Sequence, residues 1–304
     1  MSTILFGYDV ELCDPAEAEV TRQFLRIADR IHKETGTPCT LFVCGRTLEN
    51  SPDAFRELQQ DARYDLQSHM YAHSLIRPDV QWHEGRHVGD PNLGQVSITR
   101  AASLEQVRAE LARTKELLAE VLGTQNLGLR APTGSYMGLL DRPEVLDILW
   151  ELGIRYVSSY HLHVQDFRHW KLAPVEPQDI IQPFWYGQVK QQLGYHLADG
   201  EADLPPHLPD ILEFPLLGAA IDCVWKDVYG YDSYDEYLKA AKLIIDVIAR
   251  ENLVLTYVQH DWSSIRGDPT MAHTRAIIEY AQEKGVQLTT HTAYYHLLLA
   301  NRSP

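Results

Sequence analysis

Short β-forming runs alternate with helical segments along almost the whole chain. The first run, Thr3–Asp9, is apolar and is followed by Asp14-Pro15, a pair typical of a helix start. Further β-forming runs follow at intervals along the sequence: Cys39–Cys44, Tyr64–Ser68, Leu127–Arg130, Arg155–Ser159, Ile211–Pro215, Leu253–Gln259 and Val286–Thr290. Repeated strand–helix alternation predicts a parallel sheet that is covered by helices.

The number of strand–helix units favours one closed or nearly closed barrel over two domains. No change in composition divides the 304 residues, so we expect a single α/β domain over 1–304. An open, doubly wound sheet is the alternative, but no GxGxxG or GxxxxGK[ST] motif follows a predicted strand. Two long irregular segments, near 74–102 and 161–210, are expected to be functional loops.

The charge balance argues against one class of partner. Asp and Glu total 42 against 27 Lys and Arg, which gives a formal net charge of −15. Bulk electrostatics therefore does not attract nucleic acid or an anionic membrane, and we expect neither as a partner. No run of 18 apolar residues is present, and the start, MSTILFGYDVE, does not have the pattern of a signal peptide. From these features we expect a cytoplasmic protein with reduced cysteines.

Polar side chains follow several predicted strands at the point where each strand ends. In a parallel barrel the carboxyl ends of the strands share one face, and that face carries the active site. We therefore expect four separate motifs to converge there, with these residues in chain order: Asp9 and Glu11, His69 and His73, Arg130, and His260.

His69 and His73 form an HxxxH pair whose imidazoles are expected one helical turn apart, close enough to share a metal ion. Asp9 or Glu11 would supply the third ligand and leave an open position for water. The other carboxylate could then take a proton from that water. The structural alternatives are histidines of the surface or core, and a helix N-cap cluster with Asp14.

Arg130 and His260 are the two further candidates for the chemistry. Arg130 leads a rigid turn and could orient a carboxylate through a bidentate pair, or form a structural salt bridge; the two coincide if it pairs with Asp9. His260 could protonate a leaving amine, and a buried, hydrogen-bonded histidine is the alternative. Trp225 and Trp262 are expected to be pocket walls that suit a sugar ring or a flat heterocycle.

Taken in order, these motifs resemble the polysaccharide deacetylase (NodB-homology) superfamily, the carbohydrate esterase 4 group. The matching elements are YDVE, SHMYAH, RAPTG and QHDW. The resemblance implies a distorted (β/α) barrel of seven or eight parallel strands, and metal-dependent hydrolysis of an amide, usually an N-acetyl group. It also implies these roles: Asp9 as base, Glu11, His69 and His73 as metal ligands, Arg130 as the residue that steadies the base, His260 as acid, and the backbone N–H of Thr133 as an oxyanion donor.

The chain departs from the common family pattern at its first motif. Val10 follows Asp9 where a second Asp is usual, and Glu11 matches the ligand position of an Asp–x–Asp form. Thr133 stands where an aromatic residue is common. These features resemble the branch that includes intracellular peptidoglycan-deacetylase-like proteins and metal-independent allantoinases.

The family's Asp-x-x-Asp-Trp segment has no clear match, and Ser158-Ser159 lie roughly in its region. The partner of His260 is therefore open at this point, with Asp261 as a weak candidate.

We expect a metal-dependent hydrolase of a non-peptide carbon–nitrogen bond, acting on an N-acetylated sugar, oligosaccharide or related small amide. The expected cofactor is a divalent metal ion, with Zn2+ favoured by two imidazoles and a carboxylate. A homo-oligomer is also expected. Two alternatives stay open: a metal-independent, allantoinase-like or cyclic imidase-like hydrolase, and a non-catalytic carbohydrate-binding relative.

Overall fold

The computed structural model describes residues 1–83, 95–135, 138–161, 175–188, 208–222, 234–266 and 268–302. The strands within these residues are β1 (Thr3–Val10), β2 (Cys39–Val43), β3 (Tyr64–Ser68), β4 (Asp79–His83), β5 (Gln95–Thr99), β6 (Gly128–Ser135), β7 (Tyr156–Tyr160), β8 (Phe184–Trp185), β9 (Leu212–Glu213), β10 (Leu216–Ile221), β11 (Val254–His260) and β12 (Gln287–Thr289). The α-helices are α1 (Ala18–Thr35), α2 (Gly45–Asn50), α3 (Pro52–Gln59), α4 (Leu104–Leu122), α5 (Pro143–Glu151), α6 (Tyr234–Glu251), α7 (Ser263–Arg266), α8 (Ala272–Glu283) and α9 (His291–Ala300).

One curled sheet forms the centre of the molecule, in the order β10-β11-β1-β2-β3-β6-β7-β9-β8. In the described residues, eight strands of this path are parallel, and β8 is antiparallel to β9. Only Phe214 and Pro215 separate β9 from β10, so this one stretch pairs with β7 on one side and β11 on the other. The sheet therefore curls into a distorted barrel, and the predicted (β/α) fold is confirmed.

The strands and helices follow the pattern of apolar residues. All eight residues of β1 and all seven of β11 are buried, as expected for parallel strands covered on both faces. The helix α1 turns Phe24, Leu25 and Ile31 toward the core. Gly36 caps its C-terminal end with a φ of 66°, a left-handed conformation that glycine adopts easily because it has no Cβ. Among the described helices, none combines the length and apolar character needed to cross a membrane.

Three local expectations were wrong. The segment 74–102 contains an antiparallel hairpin, β4 with β5. The helix expected at Asp268-Pro269 begins three residues later, at Ala272: the Asp268 carboxylate accepts from the backbone N–H of Thr270, which precedes the helix, and of His273 in its first turn. The strand expected over Ile211–Pro215 is interrupted at Pro215, which has no N–H to donate, and then resumes as β10.

A small glycine in β1 makes room for two large polar groups inside the barrel. A Cβ at Gly7 would lie 3.2 Å from Nη2 of Arg130 and 3.2 Å from Cε1 of His291. The Arg130 Cζ lies 4.6 Å from the centroid of the Phe42 ring, and the His291 ring packs edge-on against that ring at 4.9 Å. The barrel interior is therefore tightly filled just below the rim that carries the functional site.

Candidate active site

The carboxyl ends of the barrel strands bring most of the predicted residues together at one rim. The register of β1 and β11 pairs Asp9 directly with His260. Ligand atoms of Asp9, Glu11 and His260 all lie within 4.8 Å of one another, and so do those of Glu11, His69 and His73. Motifs more than 240 positions apart along the chain thus form one polar cluster.

His69 and His73 lie on a turn after β3, so the expected helical spacing was wrong. Met70 and His73 adopt φ angles of 63° and 57°, in the left-handed region that non-glycine residues rarely use. The side chain of Met70 is fully buried, and this packing anchors the turn. The turn brings the centroids of the two imidazoles to 4.9 Å from each other. Strained backbone of this kind is typical of functional sites.

Glu11 lies between the two imidazoles. Its Oε2 is 3.0 Å from Nε2 of His69 and 2.9 Å from Nε2 of His73. Burial alone would raise the pKa of the Glu11 carboxyl, but His260 and the hydrogen bonds from His69 and His73 outweigh it and hold this pKa well below its ordinary value. Burial likewise opposes the charged form of His73, yet Glu11 raises the pKa of that imidazole.

The donor set of this cluster fits a divalent metal ion. Nδ1 of His69 donates to the carbonyl oxygen of Arg130 at 2.8 Å, which turns Nε2 toward Glu11. A backbone carbonyl on the far nitrogen is the usual way in which a metal-binding histidine is oriented. Two imidazole nitrogens and one carboxylate oxygen are ligands that zinc prefers.

Asp9 lies between two cationic or potentially cationic groups. Its Oδ1 is 3.9 Å from Nε of Arg130, and its Oδ2 is 3.9 Å from Nε2 of His260. The carboxylate is buried, and Oδ1 has no hydrogen-bond partner in the described part of the chain. A buried carboxylate so placed is suited to accept a proton from a substrate-side group.

Arg130 is one of the largest fully buried side chains of the described residues. It does not form the bidentate pair considered from the sequence: none of its guanidinium nitrogens has a hydrogen-bond partner within the described residues. Burial lowers the pKa of the guanidinium, and Asp9 acts in the opposite direction. Arg130 therefore acts on Asp9 as a buried positive charge across 3.9 Å.

His260 has a carboxylate partner that the sequence reasoning missed. Nδ1 of His260 lies 2.6 Å from Oδ1 of Asp222, and the backbone N–H of His260 donates to Oδ2 at 3.0 Å. Ser264 donates to the same Oδ2 at 3.1 Å. Asp222 follows β10 directly, so a strand end was again the available signal, but Leu216–Ile221 had not been recognised as a strand.

Asp261 faces away from His260 and holds the loop after β1. Its carboxylate accepts from the backbone N–H groups of Glu11 and Leu12, each at 3.4 Å, and from Thr21 Oγ1 at 2.9 Å. Burial, followed by the charge of Glu11, raises the pKa of Asp261 to about 7. Asp261 therefore supports the position of Glu11 and is not the partner of His260.

The remaining predicted residues have different outcomes. Trp262 contacts Glu11 directly, because its Nε1 donates to Oε1 at 2.7 Å. Thr133 is exposed and has a φ of 64°; it lies in β6, where the pairing with β7 shifts register between Arg130 and Ser135. Trp225 lies outside the described residues.

Part of the chain is similar to a known protein family, and its fold is similar to solved structures. Residues 14–157 match the family model for polysaccharide deacetylases. A search of curated proteins found no match. Among solved structures, a protein of Mycobacterium smegmatis classed as a polysaccharide deacetylase is similar, with a TM-score of 0.64 at 18% identity over 99% of this chain and 92% of that one.

The stretch 14–157, which is just under half of the chain, is similar to the polysaccharide deacetylase family. This match indicates a hydrolase that acts on carbon–nitrogen bonds, of the deacetylase kind. The matched residues include the two-histidine motif and the RAPTG turn, whereas Asp9, Glu11 and His260 lie outside them and are added by the fold.

Two further structures show the range of proteins that share this fold. Puue allantoinase is similar with a TM-score of 0.64 at 16% identity, over 96% of this chain and 88% of that one. A CE4-family pseudoenzyme of Bacillus anthracis is similar with a TM-score of 0.53 at 13% identity, over 96% of this chain and 64% of that one. At these identities the likeness concerns the fold, so the substrate has to be argued from the site.

Proposed function

We propose that this hydrolase is metal-dependent and removes the acyl group from an N-acetylated sugar, oligosaccharide or related small amide. The observation that carries the proposal is the position of Glu11 Oε2, 3.0 Å and 2.9 Å from the Nε2 atoms of His69 and His73, in the same cluster as Asp9. Glu11, His69 and His73 would hold the ion, and Zn2+ suits this donor set best.

The residues around the cluster divide the work of amide hydrolysis. A bound divalent ion would supply Lewis-acid polarisation of the acyl carbonyl and of water. Asp9 accepts the proton of the attacking water, and the buried guanidinium of Arg130 lies 3.9 Å from its carboxylate. The water oxygen bonds to the acyl carbon, the C–N bond breaks, and Nε2 of His260 gives a proton to the leaving nitrogen, so that an amine and a carboxylate are released.

Two side chains assist these steps. Asp222 holds Nδ1 of His260 at 2.6 Å, which fixes the ring and leaves Nε2 directed toward Asp9. We assign the backbone N–H of Thr133 to the developing oxyanion, because this exposed residue follows Arg130 closely in the irregular part of β6.

The first experiment measures bound metal and then hydrolysis. The purified chain is analysed for metal and assayed on N-acetylated sugars and, in parallel, on cyclic imides and ureides. Asp9→Asn tests the base, and Asp14→Asn is its matched control, because Asp14 is exposed in the same loop and caps Ala16 N at 2.9 Å. We expect stoichiometric zinc, hydrolysis of the N-acetyl substrates, loss of turnover in Asp9→Asn and full turnover in Asp14→Asn.

Each other outcome identifies which part is wrong. Ring opening of a cyclic amide that chelators do not affect would replace the metal-dependent deacetylase with the allantoinase-like alternative. Glycan binding without hydrolysis of any amide would favour the non-catalytic alternative. Full activity in Asp9→Asn would remove Asp9 from the role of base.

A further inference from the structure

The two oxygens of the Glu11 carboxylate have different neighbours. Oε2 faces Nε2 of His69 and of His73 at 3.0 Å and 2.9 Å. Oε1 accepts a hydrogen bond from the indole Nε1 of Trp262 at 2.7 Å. The side chain of Glu11 is 14% exposed, so most of its surroundings are protein. The indole N–H therefore binds Oε1, and Oε2 is left to face the two imidazoles.

This division matters because glutamate is a flexible ligand. A carboxylate can bind a metal ion through one oxygen or through both, and glutamate has one more side-chain torsion than aspartate. An N–H group on Oε1 removes that torsional freedom before a ligand arrives, which lowers the entropy lost on binding. Outer hydrogen bonds to a ligand of this kind typically change metal affinity by 10- to 100-fold.

The backbone of the same residue is held by the neighbour of Trp262. Asp261 accepts from the N–H groups of Glu11 and Leu12, and it is itself fully buried. Consecutive residues after β11 thus hold Glu11 at its backbone and at its side chain. The pairing of Asp9 with His260 places the two strand ends side by side, which makes both contacts possible.

The indole is also in contact with other groups of the site. Its ring lies 5.6 Å from the His260 ring, centroid to centroid. From the helix that follows, the Arg266 Cζ lies 5.0 Å from the Trp262 ring. Packing of this kind keeps the N–H directed at Glu11 rather than at solvent.

We propose that Trp262 is a positioning residue for the metal site, which holds Glu11 so that Oε2 alone faces the ion. The inference rests on the proposed function, because it assigns Glu11, His69 and His73 to a divalent ion. It gives Trp262 a task different from that of a pocket wall, and it explains how a glutamate can serve as an ordered ligand here.

The test compares zinc affinity in three chains, by competition with a chromophoric chelator. Trp262→Phe keeps an aromatic ring but removes the N–H, and Trp150→Phe is the control, since Trp150 is 42% exposed on α5. We expect Trp262→Phe to weaken zinc binding by about 10- to 100-fold and Trp150→Phe to leave it unchanged. Circular dichroism of the metal-free chains should be the same, which separates positioning from loss of fold.

A second measurement needs no tryptophan variant to fold. In the 1H–15N spectrum of the metal-free chain, Glu11→Asp shortens the carboxylate side chain and should shift one indole N–H resonance. A double-mutant cycle with Trp262→Phe is a third measurement: this substitution should cost less zinc affinity in the Glu11→Asp background than in the original chain.

The experiments distinguish a failure of the positioning role of Trp262 from a failure of the proposed metal site. If the unmodified chain binds zinc and Trp262→Phe binds it equally well, the positioning role is overturned while the metal site stands. If no indole resonance responds to Glu11→Asp, the hydrogen bond and the inference are both wrong. If the unmodified chain binds no divalent ion, the proposed function fails at its metal and the inference fails with it.

Discussion

Oδ1 of Asp222 lies 2.6 Å from Nδ1 of His260, and Oδ2 of the same carboxylate accepts from the His260 backbone. One side chain therefore fixes both the ring and the peptide of the residue that we assign as general acid. The arrangement prevents rotation of the ring and keeps its Nε2 available for proton transfer. The catalytic contribution of His260 should depend on this carboxylate.

Asp222→Asn removes the charge and keeps the size of the side chain. We expect kcat to fall by about 100-fold or more, because general acid catalysis contributes on that order. The measurement is steady-state turnover of the best N-acetyl substrate, with near-ultraviolet circular dichroism to check the fold. Asp147→Asn, on the exposed face of α5, is the control and should keep full turnover. Unchanged kcat in Asp222→Asn would contradict the role.

Gly7→Ala tests the packing beneath the site. The added Cβ would lie 3.2 Å from both Arg130 Nη2 and His291 Cε1, so these groups must shift. We expect a loss of about 1–3 kcal/mol in the free energy of unfolding, which is typical of overpacking, together with a lower kcat as Arg130 moves relative to Asp9. Chemical denaturation measures the first effect. Gly187→Ala, where the nearest atom is 3.5 Å away, should be within about 0.5 kcal/mol of the original chain; equal stabilities of the two variants would refute the expectation.

The backbone at Thr133 predicts an unusual order of stability. Its φ is 64°, and its Oγ1 donates to the carbonyl oxygen of Pro132 at 2.7 Å. Thr133→Gly and Thr133→Ala both lose this hydrogen bond, so their difference isolates the cost of the left-handed backbone. We expect the glycine variant to be the more stable by about 1 kcal/mol, the reverse of the usual order in helices and strands. Thermal unfolding of the two variants measures this difference. An alanine variant that is more stable than the glycine variant would show that the backbone at this position is not strained.

His32 predicts how stability depends on pH. Its ring is fully buried, with Tyr8 OH 2.9 Å from Nε2 and the Thr37 carbonyl oxygen 3.0 Å from Nδ1. Burial lowers the pKa of His32 from its ordinary value of 6.5 to about 4. Between these values the unfolded chain binds a proton that the folded chain does not. The stability that comes from a neutral His32 is therefore present above pH 6.5 and is lost as the pH falls through 4.

The size of this effect is at most about 3 kcal/mol, since one pKa unit corresponds to about 1.4 kcal/mol. Urea denaturation at pH 7.5, 5.5 and 4.5 would measure it in the original chain and in His32→Gln. The variant should have a flatter pH profile, whereas His296→Gln, at an exposed position of α9, should keep the original slope. Parallel profiles for the original chain and His32→Gln would assign the acid sensitivity to other groups.

The barrel could be predicted from sequence because its signals are local. The predicted bounds of the strand Tyr64–Ser68 agree with those of β3, in which four of the five residues are buried. The sequence also predicts helix ends where a glycine follows the last turn, as at Gly123, whose φ is 65°. Parallel alternation then places the strand ends at one rim. These rules were sufficient to group Asp9, Glu11 and His260.

The remaining parts of the site depend on contacts between distant segments. The turn that carries His69 and His73 needs Met70 in the left-handed region, which local propensity disfavours and which burial compensates. Asp222 was missed because Pro215 interrupts the strand that leads to it. The hydrogen bond from Trp262 to Glu11 joins residues 251 positions apart, and local sequence spacing cannot predict a contact between such distant residues. In each case tertiary packing determines what the local pattern leaves open.

The short stretch from Leu212 to Ile221 has a consequence for how the site is made. It pairs with β7 through β9 and with β11 through β10, and it ends at the carboxylate that holds His260. The ten residues of this stretch therefore close the barrel between β7 and β11, and they also place Asp222 beside His260. A folding intermediate in which the barrel is still open would contain the metal ligands but lack an oriented acid. Turnover would then appear later in refolding than zinc binding, and enzymatic activity would serve as a kinetic marker of barrel closure.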